Sequence, residues 1–165
     1  MFTATIDAAL PKPQRYRDLS SALTSLLEGE TDPLANLANA SALLAQSLER
    51  INWCGFYLLR GQELVLGPFQ GKPACVRIPL GKGVCGTAAL RREALVVSDV
   101  AAFPGHIACD ADSRSEIVVP ILRGGELLGV LDVDSPEVGR FDEEDREGLE
   151  RYVQTLLPRV AWEKV

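Results

Sequence analysis

Apolar residues recur along this chain in two periods, and the change between them divides it. Tyr16, Leu19, Leu23, Leu26 and Leu27 follow Pro11-Lys12-Pro13 at helical spacing and predict a first helix. Asp32-Pro33 reads as an N-cap with proline at the first helical position. Behind it Leu34, Leu37, Ala38, Leu44 and Leu48 give the stripe of a second helix ending near Arg50. Both stripes are expected to pack on a sheet. From Trp53 the runs become extended: 53–60 and 63–69 flank Gly61-Gln62 as a hairpin. Alternation puts Trp53, Gly55, Tyr57 and Leu59 on one face, and Cys54, Phe56 and Leu58 on the other.

A loop over 70–74 leads to a short strand at 75–80, and Gly81-Lys82-Gly83 turns into a short helix running to about Arg92. A strand at 94–98 precedes the segment 99–114, too long for a passive connector. A second hairpin pairs 116–121 with 127–134 around Arg123-Gly124-Gly125. Asp142 caps a last helix with the stripe Leu149, Tyr152, Val153, Leu156, Leu157 and Val160. Hairpins impose antiparallel pairing, and terminal helices must bury their stripes on one sheet face. The expected architecture is α+β with about six strands, one domain over residues 1–165.

Composition narrows the partners. A net charge of −6 over 165 residues argues against nucleic acid and anionic membranes. The first seven residues lack a basic n-region and a long apolar core, and no apolar run approaches the ~18 residues that span a bilayer. A cytoplasmic location is therefore expected. There, cysteines that pair are usually catalytic or redox-sensing.

The chain has four cysteines. Cys54 sits among core residues and reads as buried and inert. Cys75, Cys85 and Cys109 fit no paired-cysteine zinc pattern, so no metal is expected. Cys109 lies between Pro104-Gly105 and Asp110, Asp112 and Ser113, where a loop would present its thiol to solvent. Cys85 falls in the first turn of the short helix, whose dipole would favour a thiolate. His106, the one histidine, could acidify Cys109, although holding backbone is the plainer role.

Trp53 and Tyr57 around Gly55 would wall an aromatic notch; their plain reading is core aromatics. Asp132 and Asp134 alternate with Leu131 and Val133 and so emerge on one face. With a two-residue loop at 124–125, Glu116 would stand opposite Val133 and face away from both aspartates. An odd-length loop or a bulge would bring all three together, and Pro120, which has no N–H to donate, is a plausible place for a bulge.

Together, Trp53-Cys-Gly-Phe-Tyr57, Gly71-Lys-Pro-Ala-Cys75, Gly81-Lys-Gly-Val-Cys85, Phe103-Pro-Gly-His-Ile-Ala-Cys109, Ser115-Glu-Ile-Val-Val-Pro120 and Gly129-Val-Leu-Asp-Val-Asp-Ser135 closely resemble the free methionine-(R)-sulfoxide reductases. The resemblance implies a GAF-like antiparallel sheet with terminal helices on one face and a loop-built pocket on the other. It implies reduction of free methionine sulfoxide as part of the response to oxidative stress, with thioredoxin as reductant and no cofactor. Cys109 would be the nucleophile and Cys75 its resolving partner, with Cys85 auxiliary. Trp53 and Tyr57 would wall the S-methyl end, Glu116 and Asp134 would be the acids, and Asp132 would help bind the amino acid. A homodimer is compatible with the resemblance. The rival expectation is a GAF-type sensor of a small ligand or oxidant without turnover.

Overall fold

The computed structural model describes Phe2, residues 5–107 and residues 109–165; Met1, Thr3 and Ala4 of the N-terminal stretch lie outside it. Helices α1 (Lys12–Leu26) and α2 (Pro33–Ser47) lead into strands β1 (Trp53–Arg60), β2 (Glu63–Gln70) and β3 (Arg77–Pro79). Helix α3 (Gly83–Arg91), strands β4 (Leu95–Val97), β5 (Ser115–Arg123) and β6 (Glu126–Ser135), and helix α4 (Glu143–Leu156) follow. The strands form one six-stranded antiparallel sheet in the order β3-β2-β1-β6-β5-β4. Among the described residues no helix is long and apolar enough to cross a membrane.

Alternation sorts the sheet into two apolar layers. Cys54, Phe56, Ile117, Val119, Leu131 and Val133 point toward the helical layer and join Leu19, Leu37, Leu44, Leu149 and Tyr152 in the main core. Trp53, Tyr57, Val118 and Val130 point the other way, toward α3, with Cys85, Ala88 and Ala89. The second helix covers β1 and β2, as expected, through Leu37 and Leu44, although Leu34 and Ala38 of its expected stripe are exposed; the first packs mainly on α4. There Gly148 admits the Tyr16 ring, since a Cβ at 148 would lie 2.1 Å from it. The caps match the sequence: Asp32 accepts from the Ala35 amide at 2.9 Å, and Asp142 forms a capping box with Asp145.

Three details differ from expectation. The second helix stops at Ser47. The strand expected from Cys75 begins at Arg77, the Cys75 carbonyl being taken by the Tyr57 hydroxyl instead of a strand partner. The segment 99–114 contains a 3-10 turn, Val100–Ala102.

The β5–β6 hairpin settles the parity of the site. Next to the turn, Leu122 pairs with Leu127, but Ile121 pairs with Gly129, which leaves Leu128 as an extra residue in β6. Beyond this bulge Glu116 stands opposite Asp134 and Val118 opposite Asp132. Pro120 pairs regularly with Val130, so the bulge lies on the other strand from the position expected. In β1, Trp53 pairs with Asp134 and Gly55 with Asp132. One extra residue thus gathers Glu116, Asp132 and Asp134 on the face that carries Trp53 and Tyr57.

Candidate active site

The floor of the site is three central strands, and its roof is built from α3 and two loops. A cleft of about 490 Å³, counting space open to solvent, is lined by Trp53, Tyr57, Cys85, Cys109 and the three carboxylates, with His106 at its wall. Seven of the eight site residues expected from sequence line it; the eighth, Cys75, is disulfide-bonded to Cys109 with Cα atoms 5.4 Å apart. Cys109 is half-buried rather than presented to solvent. Cys54 lies behind the sheet, fully buried, and its thiol is pushed up to about 12 by burial, with Asp132 and Asp134 adding to it.

Aromatic residues hold the loop that carries Cys75. The Trp53 indole donates to the Lys72 carbonyl at 3.1 Å, and the Tyr57 hydroxyl donates to the Cys75 carbonyl at 2.9 Å. Trp53 stacks on Tyr57 and on Phe69, with centroids 5.9 and 5.3 Å away. The space over Gly55 is not an empty notch, because β2 fills it: a Cβ there would lie 2.3 Å from the Phe69 Cβ. The aromatic pair therefore forms a continuous wall.

The carboxylates are crowded and poorly solvated. Burial raises Asp132 to about 7, with the neighbouring Cys85 thiol, Glu116 carboxyl and Val133 amide acting against it. Burial and the charges of Asp132 and Asp134 push Glu116 well above the usual carboxylate range. Asp134 is likewise raised, by burial and then by Asp132 and Asp110. Cys85 donates to Glu116 Oε1 at 3.8 Å, and burial with three carboxylates lifts its thiol well above its ordinary value. The helix N-terminus thus does not make a thiolate of Cys85, because the carboxylates and the dry setting outweigh the dipole.

Sequence reasoning missed two features. His106 Nε2 lies 3.8 Å from Glu116 Oε2, and burial lowers its pKa. Its side chain therefore faces an acid instead of holding backbone. Asp110 is held by the Asn52 amide at 3.1 Å, and Lys72 ties the two loops by pairing with Asp110 and Asp112. In sequence Asp110 is an ordinary turn former beside Cys109; only its adjacency to that thiol marked it.

Cys85, Glu116 and Asp132 each offer a ligand atom, and these lie within 4.8 Å of one another. Chemically, the site joins a reversible dithiol at its rim to a floor of carboxyl groups inclined to hold protons.

An antiparallel six-stranded sheet with this helical layer and pocket defines the GAF class, and the GAF-domain model matches residues 35–156. The chain belongs to the free methionine-R-sulfoxide reductase family of GAF-domain proteins. It is 55% identical over 145 residues to free methionine-R-sulfoxide reductase from Escherichia coli, covering 88% of each chain. It is 44% identical over 155 residues to the protein of that name from Saccharomyces cerevisiae, covering 89% of this chain and 86% of the yeast one. The structure of free methionine-R-sulfoxide reductase from Neisseria meningitidis in complex with its substrate superposes with a TM-score of 0.93 at 43% identity. That match covers 99% of this chain and 98% of the other.

Proposed function

We propose that this chain, acting as one GAF domain in the cytoplasm, reduces free L-methionine (R)-S-oxide to L-methionine and is recycled by thioredoxin. The observation that carries this reading is the Cys75–Cys109 bond at the rim of a pocket floored by Glu116, Asp132 and Asp134. A sulfoxide sulfur is a poor electrophile until its oxygen takes a proton, so reduction needs a thiolate beside an acid. The Cys109 thiolate attacks the sulfur while Glu116 or Asp134 protonates the oxygen. The S–S bond formed by attack and the S–O bond of the protonated sulfoxide then both break as the hydroxyl oxygen passes to Cys109 Sγ, leaving Cys109 as a sulfenic acid and methionine, with its sulfur reduced by two electrons, as product. The Cys75 thiol displaces water from that sulfenic acid and forms the disulfide. Two electrons from a reduced dithiol reopen the bond.

The other residues sort by chemistry. Trp53 and Tyr57 present apolar faces to the S-methyl end. Asp132, with a buried oxygen that has no partner among the described residues, suits the substrate ammonium. Cys85 lines the pocket from α3 as an auxiliary thiol. Its raised pKa suits it to donate a hydrogen bond, not to attack.

The test is incubation of the chain with racemic free methionine sulfoxide and dithiothreitol, reading the two sulfur epimers separately. The R epimer should disappear while the S epimer persists. A peptide-bonded methionine sulfoxide should not turn over, because an amide in place of the ammonium leaves carboxylates unpaired at a cost of about several kcal/mol. Equal loss of both epimers, or comparable turnover of the peptide, would overturn the reading. Glu116→Gln and Asp134→Asn should each slow single-turnover methionine release by about a hundredfold or more while leaving methionine affinity nearly unchanged. Near-normal rates in both would place the acid elsewhere.

A further inference from the structure

We propose that Cys85, Glu116 and Asp132 form a binding site for a thiophilic divalent cation of the zinc type. Their ligand atoms already lie within 4.8 Å of one another, all on buried side chains. Cys85 Sγ is 3.8 Å from Glu116 Oε1. Zinc with bonds of about 2.0–2.3 Å places neighbouring ligands roughly 3.3–3.8 Å apart, so rotamer adjustments of a fraction of an ångström to about one ångström close the set. On the other oxygen of the same carboxylate, His106 Nε2 stands 3.8 Å away and can supply a fourth donor.

A second observation points to a cation. Asp132 is 6% exposed, and its Oδ1 is buried without a hydrogen-bond partner among the described residues. Among the described residues, no lysine or arginine pairs with Glu116, Asp132 or Asp134. An unpaired buried carboxylate oxygen is costly, and a dication at this point would satisfy it. The donor set selects the ion: one sulfur, two carboxylates and an imidazole suit zinc or cobalt. Magnesium and calcium require six or more oxygens. The redox cysteines are not needed, because Cys75 and Cys109 are bonded to each other and Cys54 lies in the core behind the sheet. Cysteine spacing in the sequence cannot reveal such a site, since a helix and two strands supply one sulfur and two oxygens. If the substrate occupies this floor as proposed above, zinc and substrate exclude one another.

The experiment titrates the oxidised full-length chain with zinc against a chromophoric chelator, with magnesium as the control. Wild type should take up one equivalent of zinc and ignore magnesium. Cys85→Ala and Asp132→Asn should each weaken the affinity by at least about tenfold. Cobalt bound to wild type should show a thiolate-to-cobalt charge-transfer band, a readout that does not depend on any variant folding. Absence of stoichiometric zinc uptake, unchanged affinity in folded variants, or cobalt binding without the thiolate band would each overturn the site. Excess L-methionine should displace the zinc. Zinc that binds as expected but resists methionine would count against the substrate pocket and leave the metal site standing.

Discussion

Asp132 shows how far one residue's identity is from its chemical state. Its place beside Asp134 follows from strand alternation, but its protonation does not. In the folded chain it is raised from 3.8 to about 7, chiefly by burial. Between those values the folded state keeps a proton that the unfolded state has released, so stability falls as pH rises through this window. Glu116 and Asp134 are shifted the same way, and His106, lowered by burial, acts oppositely on the acid side. Each pKa unit is worth about 1.4 kcal/mol, so ionising the cluster costs on the order of a few kcal/mol. Urea unfolding of the oxidised chain should therefore give a lower midpoint at pH 8 than at pH 5. Asp132→Asn should raise the pH 8 midpoint and flatten the slope, while weakening methionine binding. An Asn variant less stable than wild type at pH 8, or equally pH-dependent, would contradict this. The same dry setting overrides the helix dipole at Cys85: its helix position is legible in sequence, but the three carboxylates around it come from distant strands.

At the level of elements, the types of strand and helix were legible because period and caps agree, as at Asp32 and Asp142. Parity was not. The rule for a two-residue turn assigns Glu116 to the wrong face, and the extra residue that corrects it is Leu128, an unremarkable leucine. Pro120 advertised a bulge it does not form. A second irregularity, between Gly55 and Tyr57, draws β2 inward so that Phe69 lies over Gly55. Here only glycine fits: a Cβ at 55 would meet the Phe69 Cβ at 2.3 Å, the Phe69 Cα at 2.7 Å and the Pro68 carbonyl oxygen at 2.9 Å. Backbone cannot swing aside as a side chain can. Gly55→Ala should lower stability by about 1–3 kcal/mol or more in urea unfolding, and push the Trp53 wall out of place. A midpoint equal to wild type would show that β2 is not held where the pairing puts it.

Across the whole molecule, the two loops that meet over the pocket come from opposite ends of the sheet. The 71–76 loop leaves β2 on one side, and the 99–114 segment enters β5 on the other. Lys72, paired with Asp110 and Asp112, clips them beside the bond, and the Tyr57 hydroxyl anchors the Cys75 carbonyl. The Cα separation of 5.4 Å lies inside the reach of a disulfide. Because Cys109 lines the pocket and Cys75 does not, their substitutions should separate attack from recycling. Cys109→Ser should form no methionine under any reductant. Cys75→Ser should release about one methionine per chain in a single turnover and then stall with thioredoxin, because the sulfenic acid lacks its partner thiol. A small thiol should partly restore turnover by attacking Cys109 directly. Cys85, buried in α3 with its thiol held neutral, is a poor substitute for Cys75. If Cys75→Ser turns over normally with thioredoxin while Cys85→Ser stalls, Cys85 resolves the sulfenic acid. The Cys75–Cys109 bond would then be a later product of disulfide exchange, with Cys109 still the nucleophile.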